Sequence, residues 1–412
     1  MTASTLISYI SLALGLQFLL VLAYALLRRR SLAPLPATAA KLPSLQPGAW
    51  SGLRAFRVAR RVYEDAAQTQ CSFYLEPVDG LALADYRPGQ FLTFSLQPGA
   101  QAGAAARTVT RCYSLSDSPQ PQQYRVTIKR VAAPAVPPGL PAGVASNYFH
   151  EHVRAGDTLQ LRAPSGHFYL DTDSLTPVVL VAGGIGITPM LSMLRWCLQK
   201  QPQRVVHLYY GVRNSAEQAY KAELEEMAAS LPPICLHVVY SKPLAQDRQG
   251  VDFQHRGHVD LALLQSTLAR GEQQFYVCGP SAMMENLVPG LAQWGVASKD
   301  IHFEAFGPAT VRLSPDASLP VAGDAQALPV AVTFRRSGRT LNWQGHQSSL
   351  LDFAEAHGIP VESGCRSGGC GSCVASVVSG AVDYASAPDF DLAPGQCLLC
   401  VGKPREALVL DL

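Results

Sequence analysis

The pattern of apolar and polar positions divides the chain into four stretches. Residues 5–27, from Thr5 to Leu27, hold no charged side chain. A helix of that length, at ~1.5 Å rise per residue, crosses a ~30 Å hydrocarbon core. Residues 53–172 alternate apolar and polar positions over short runs punctuated by Gly and Pro, as in Phe91–Ser95 and Tyr124–Lys129. That rhythm predicts a small antiparallel barrel. Between 173 and 308 the rhythm changes. Val178–Ala182 is a continuous apolar run, as expected of a buried parallel strand. Further strands are predicted at Val205–Tyr210, Leu236–Tyr240 and Gln274–Cys278, with helical stretches between them and an amphipathic helix from Met190. This is the alternation of a doubly wound α/β sheet. In residues 328–412, Val330–Phe334 and Arg339–Trp343 predict a hairpin, and Ser349–His357 a short helix.

The first stretch ends at Arg28, Arg29 and Arg30. Positive residues stay on the cytoplasmic side, so residues 1–30 are expected to be a single-pass transmembrane anchor with the remaining domains in the cytoplasm. A cleaved signal peptide and a buried helix of a soluble domain are the alternatives, but the charges of a signal peptide would precede the apolar run. Residues 31–52, with Pro34, Pro36, Pro43 and Pro47, form an expected linker, and residues 309–327 a second one.

Length and composition narrow the class. The 412 residues exceed one ordinary core. Hydrophobic residues make up 48%, charged residues 16%, and the net charge of +2 leaves no nucleic-acid footprint. Of ten cysteines, Cys71, Cys112, Cys197, Cys235 and Cys278 are scattered singly. Cys365, Cys370, Cys373, Cys397 and Cys400 crowd the C-terminal end. Close spacing at one end points to a metal or cluster site rather than a disulfide framework.

Five motifs carry candidate chemistry. In Arg111-Cys112-Tyr113-Ser114, an arginine can hold a phosphate, a tyrosine can pack on a flat ring, and a hydroxyl can bond a ring nitrogen. About 30 residues on, Gly143-Val-Ala-Ser146-Asn-Tyr lets backbone N–H groups approach a pyrophosphate. Gly183-Gly184-Ile-Gly186-Ile-Thr188-Pro189 joins a strand to a helix, where a pyrophosphate can meet the helix N-terminus. Cys278-Gly279-Pro280 follows the last strand of the α/β region, at the end where such sheets bind ligands. The fifth is Cys365-x₄-Cys370-x₂-Cys373 with a distant Cys400, the plant-type [2Fe–2S] spacing. Neighbouring glycines supply the unusual dihedrals such a wrap needs. A zinc ribbon built on Cys370-x-x-Cys373 and Cys397-x-x-Cys400 is the competing arrangement, and it leaves Cys365 and the glycines without a purpose.

These motifs, in this order, resemble the ferredoxin–NADP reductase superfamily, especially its flavohaemoglobin-like and oxygenase-reductase branches. Residues 328–412 resemble a plant-type ferredoxin domain, and oxygenase reductases of the phthalate dioxygenase type place that domain last. The resemblance implies a multidomain fold: an FAD-binding barrel at 53–172, an NAD(P)-binding domain at 173–308 and an α+β (β-grasp) [2Fe–2S] domain at 328–412. It assigns Arg111, Tyr113 and Ser114 to the flavin, with Ser114 near the nitrogen that accepts hydride, and Gly143 and Ser146 to its phosphates. Pro164–Phe168 looks like the loop beside the adenine of FAD, which favours FAD over FMN. Gly183, Gly184, Gly186 and Thr188 fall to NAD(P)H, and Cys278, Gly279 and Pro280 lie beside the nicotinamide. Glu304, in His302–Gly307, would position the nicotinamide or relay a proton; the plainer alternative is a solvated strand-end glutamate. Arg213 stands where a carboxylate would favour NADH and can grip a 2′-phosphate.

The cluster cysteines are then Cys365, Cys370, Cys373 and Cys400. Cys400 is expected inside a strand that Val401 continues, and Cys397 at the start of that strand. The implied function is electron transfer from NAD(P)H through FAD and [2Fe–2S] to a membrane-associated oxygenase, desaturase or cytochrome. Two other functions fit the same domains, an NAD(P)H:quinone oxidoreductase and a nucleotide-binding redox sensor.

Overall fold

The computed structural model describes residues 49–98, 108–133, 142–230, 234–306, 329–345, 347–366, 368–385, 388, 390 and 392–412. The expected anchor (1–30), almost all of the first linker and the whole of the second lie outside the described residues. Among the described residues no helix is long and apolar enough to cross a membrane.

The first region is an antiparallel barrel. Its strands are β1 (Arg54–Tyr63), β2 (Gln70–Pro77), β3 (Phe91–Leu96), β4 (Val109–Ser114), β5 (Tyr124–Lys129) and β6 (Thr158–Ser165). They lie in the order β4-β3-β6-β1-β2-β5, and a bridge between Leu115 and Val126 joins the two ends. Helix α1 (Val144–Glu151) packs on the barrel through Phe149. That ring meets Phe73 at 5.1 Å and Phe94 at 5.3 Å, both edge-on, the arrangement aromatic quadrupoles favour.

The second region contains β7 (Val178–Gly183), α2 (Ile187–Lys200), β8 (Val206–Val212), α3 (Lys221–Ser230), β9 (Ile234–Tyr240), β10 (His255–Arg256), α4 (Leu261–Thr267), β11 (Gln274–Gly279), α5 (Ser281–Gln293) and β12 (Ile301–Ala305). All pairings are parallel, in the order β10-β9-β8-β7-β11-β12. β7 and β11 are buried at every position, which explains their unbroken apolar runs. The chain moves outward from β7 to one side and returns to β11 on the other, so the switch point lies between these strands. The helix after β7 begins at Ile187 rather than Met190. A 3-10 turn over Gly184–Gly186, opened by Gly184 at φ +54°, reverses the chain at once.

The third region is a β-grasp. Strands β13 (Val330–Phe334) and β14 (Arg339–Trp343) form the predicted hairpin, and α6 (Leu350–Ala356) follows. The hydroxyl of its N-cap, Ser349, accepts from the Asp352 N–H, and Asp352 lies in the first turn. Then come β15 (Val374–Ser379), β16 (Val382–Tyr384), β17 (Gln396–Leu398), β18 (Gly402–Pro404) and β19 (Leu408–Leu410). The sheet order is β14-β13-β19-β15-β17, with β13 and β19 parallel.

A polar seam fixes the barrel against the nucleotide region. Asp117 and Arg125, 7% and 2% exposed, lie on the barrel side. Arg195 of α2 donates to Asp117 Oδ1 at 2.7 Å, and Ser192 donates to the Asp117 carbonyl at 2.5 Å. The Tyr220 phenol enters the barrel to meet Ser72 and Thr127. Asp117 therefore offsets two guanidiniums in a place with little water. Asp117→Ala is expected to lower the free energy of unfolding by about 3 kcal/mol, because it leaves Arg125 buried and uncompensated. Urea unfolding compared with wild type measures this; a loss under about 1 kcal/mol would show that the seam is not held by this carboxylate.

Candidate functional site

At the carboxyl ends of β7 and β11 two loops lie backbone against backbone. A Cβ on Gly186 would fall 2.2 Å from the Cys278 carbonyl oxygen, and one on Gly183 would fall 2.5 Å from Pro280 Cδ. A Cβ on Gly279 would come within 3.0 Å of Gly183 Cα. No larger residue fits at these positions without moving a strand end. Both α2 and α5 start here with no side-chain cap, an end that suits an anion, while the Ile187 N–H donates to the Gly184 carbonyl and the Met283 N–H to the Pro280 carbonyl. Thr188 is buried, and its hydroxyl donates to the Ile185 carbonyl at 3.0 Å. It locks the turn. Cys278 is wholly buried in the core beneath the crevice. Burial, and then nearby Glu304, push its thiol well above the ordinary range. Arg213 stands just past β8, 69% exposed, and pairs with Glu217 Oε1 at 3.2 Å.

The alternation of β4 separates the flavin motif into two faces. Arg111 and Tyr113 share one; Cys112 and Ser114 share the other. Tyr113 lies edge-on to Phe94 at 5.6 Å and to Phe149 at 5.3 Å. Arg111 is exposed, and buried Ser114 sits opposite Phe91 in the ladder. Gly143 starts α1, whose N-terminus has no side-chain cap. The Ser146 hydroxyl donates to the Gly143 carbonyl and accepts from the Val131 N–H, each at 3.2 Å. It therefore builds the bend at the helix start.

The cysteine loop is wrapped by its own N–H groups. Those of Cys365 and Ser372 donate to Cys370 Sγ at 3.2 and 3.4 Å. The Gly369 N–H donates to Cys365 Sγ, and the Cys400 N–H to Cys373 Sγ, both at 3.4 Å. Gly368 and Gly371 adopt φ of +81° and +75°, which makes this wrap possible. Contacts with Cys365 and Cys373, and then burial, push the Cys400 thiol far up. Thiols crowded in this way ionise together only around a cation, so the donor set suits an Fe–S cluster.

Cys397 and Cys400 exchange the positions expected of them. Cys397 lies inside β17, opposite Ala375, with its side chain in the hydrophobic core. Burial, and then Cys373, push its thiol up to about 12. Cys400 lies in the turn after the strand. The ladder stops at Leu398, where Leu399 N–H donates instead to the Cys373 carbonyl at 3.1 Å. That bond turns Cys400 toward Cys373.

The three regions meet at one place. A Cβ on Gly369 would fall 2.8 Å from Ser165 Oγ and 3.3 Å from Phe91 Cζ, so the cysteine loop rests on β3 and β6. Arg162 of β6 stacks over Phe390 at 4.7 Å. The sulfurs of Cys112, Cys365 and Cys370 lie within 4.8 Å of one another. Glu304 of β12 has Oε2 sealed from solvent and without a hydrogen-bond partner. Burial, and then Cys365, push its carboxyl up to about 8. It is not a solvated strand-end glutamate. Cys112 and Phe91 carried no signal in the sequence as site residues, and Ser165 was read only as part of the loop beside the adenine, because the cysteine loop they meet lies some two hundred residues away or more.

Known proteins match this arrangement region by region. The family models for an oxidoreductase FAD-binding domain, an oxidoreductase NAD-binding domain and a 2Fe-2S iron-sulfur cluster binding domain match residues 71–169, 180–288 and 332–405. A flavohemoprotein of Halalkalibacterium halodurans is 37% identical over 65% of this chain and 62% of its own length. The chain thus spans less than two thirds of such relatives. The flavohem-like FAD/NAD-binding domain of the nitric oxide dioxygenase from Vibrio cholerae O1 biovar El Tor is 31% identical, covers 62% of this chain and 99% of its own, and superposes with a TM-score of 0.53. Phthalate dioxygenase reductase is described as a modular structure for electron transfer from pyridine nucleotides to [2Fe-2S]. It is 26% identical, covers 88% of this chain and 98% of its own, with a TM-score of 0.50. The chain carries oxidoreductase FAD-binding, oxidoreductase NAD-binding and 2Fe-2S cluster-binding domains in that order, and over most of its length it is similar to phthalate dioxygenase reductase.

The geometry separates the two competing cysteines. Cys400→Ser is expected to abolish or severely alter the electron paramagnetic resonance signal of the dithionite-reduced cluster while flavin is retained. Cys397→Ser should leave that signal in place. The reverse pattern would refute the choice of Cys400.

Proposed function

We propose that this chain is a membrane-anchored reductase passing electrons from NAD(P)H through FAD and a [2Fe–2S] cluster to an oxygenase, desaturase or cytochrome. The observation that carries this is the meeting of the flavin strand, the nucleotide crevice and the cysteine loop at Cys112, Glu304 and Cys365. Nicotinamide gives up two electrons as hydride and a [2Fe–2S] cluster takes one at a time, and a flavin between them does both.

The residues divide the work of holding these groups. Gly183, Gly186 and Gly279 let the two loops pack backbone against backbone, and Gly184 faces open space, so together they shape a crevice for a pyrophosphate at the starts of α2 and α5. Thr188 fixes the turn that aims α2, and Cys278 and Pro280 form the wall behind the nicotinamide. Arg111 and the start of α1 at Gly143 and Ser146 face the FAD phosphates. Tyr113 is the ring platform, and Ser114 the hydroxyl for the flavin nitrogen. Glu304 lies in the seam between crevice and cysteine loop, where burial favours its protonated form. Cys365, Cys370, Cys373 and Cys400 hold the cluster.

The uncharged run from Thr5 to Leu27 and the arginines at 28–30 support a single-pass anchor with the C-terminal domains in the cytoplasm. An anchor confines donor and acceptor to one plane, which favours a membrane-associated acceptor protein. Removal of residues 1–30 is expected to release a soluble yellow-brown protein that still oxidises NAD(P)H with cytochrome c as artificial acceptor. Full-length protein that partitions to the aqueous phase without detergent would refute the anchor, and a cofactor-replete protein with no such activity would refute the electron-transfer reading. Arg213→Ala is expected to raise KM for NADPH about three- to tenfold more than KM for NADH, because an exposed guanidinium pairs with the extra phosphate. Equal changes in steady-state kinetics with both coenzymes would leave Arg213 only its bond to Glu217.

A further inference from the structure

Cys112 occupies a place that neither the flavin motif nor the cysteine spacing explains. It is the residue between Arg111 and Tyr113, and strand alternation turns it to the face of Ser114, away from Tyr113. Its sulfur lies within 4.8 Å of those of both Cys365 and Cys370. Thr93 Oγ1, from the neighbouring strand, stands 3.5 Å away. The loop that carries Cys365 and Cys370 is pressed onto the same barrel edge by the bare backbone of Gly369 against Ser165 and Phe91.

We propose that Cys112 is a positioning residue that donates an S–H hydrogen bond across the domain boundary to the thiolate sulfurs of Cys365 and Cys370, and so raises the reduction potential of the cluster. The proposal rests on the reading that Cys365, Cys370, Cys373 and Cys400 hold that cluster. Four cysteines complete the coordination of a [2Fe–2S] centre, so a fifth thiol beside it is a neighbour rather than a ligand. Hydrogen bonds to the sulfurs are one of the levers that set cluster potential. A donor stabilises the reduced form, which carries one more negative charge, so its loss lowers the potential. The N–H donors of Cys365, Gly369 and Ser372 belong to the loop itself. Cys112 is the donor supplied by the flavin strand, and it acts only while the loop is seated on the barrel.

The test is a potentiometric titration of the full-length, cofactor-loaded protein followed by electron paramagnetic resonance. Cys112→Val fills the same volume without a donor, and Cys112→Ser keeps one. Both variants are expected to retain the wild-type spin count. In Cys112→Val the ratio of reduced to oxidised cluster at a fixed ambient potential should fall about three- to tenfold, tenfold being about 59 mV for a one-electron couple. In Cys112→Ser it should stay at or above the wild-type value. A wild-type midpoint in Cys112→Val overturns the proposal, and so does an equal fall in both variants, which would reflect packing. Loss of the cluster in Cys112→Val while Cys400→Ser keeps it would make Cys112 a ligand and also overturn the proposal. A wild-type spectrum in Cys365→Ser or Cys370→Ser would instead overturn the ligand reading beneath it.

Discussion

The contact on which this molecule depends is the seating of the cysteine loop on the edge of the barrel. Gly369 has no side chain, and that absence lets the loop backbone approach Ser165 and Phe91 closely. Electron transfer between a flavin and a cluster needs proximity and a fixed orientation more than it needs chemistry from the protein. A β-grasp tethered loosely to the barrel would supply neither. The stacking of Arg162 on Phe390 holds the same contact at its margin.

The barrel and the nucleotide region are joined by a different kind of surface. Around Asp117, Arg125 and Arg195 the seam is polar and nearly dry, and each charged group is answered by another or by a hydrogen bond. Such networks contribute geometry more dependably than stability, since removing any one member leaves a buried charge. The crevice at the ends of β7 and β11 therefore keeps a fixed relation to β4. Hydride transfer between rings held by the two regions requires that relation.

Much of this architecture was legible in the sequence, for physical reasons that differ by region. Strand β5, the β13–β14 hairpin and the helix after Ser349 appear where the sequence pattern predicts them, because each is decided by local alternation or, as the structure shows, a local hydroxyl. The central strands β7 and β11 were visible because burial on both faces erases alternation. The start of α2 was misplaced by three residues, since the 3-10 turn over Gly184–Gly186 depends on how closely that loop packs against Cys278. The exchange of Cys397 and Cys400 has a similar cause. Which residues of β17 pair is decided by Val374 and Ala375, twenty residues earlier, and the ladder ends where Leu399 finds the Cys373 carbonyl. Cys112 was invisible because its neighbours come from a separate domain. Glu304 drew attention in the sequence, but only the fold shows that its carboxyl is enclosed.

The glycine-on-backbone packing of the nucleotide crevice also bears on how such a protein can diverge. Gly183, Gly186 and Gly279 exclude side chains from the floor of the crevice, so mutation there has almost no tolerated outcome. The rim at the end of β8 is exposed, and it can vary without disturbing the sheet. Heritable change in coenzyme choice is thereby channelled to a few surface positions, while the part that grips what all the coenzymes share is held constant by steric necessity.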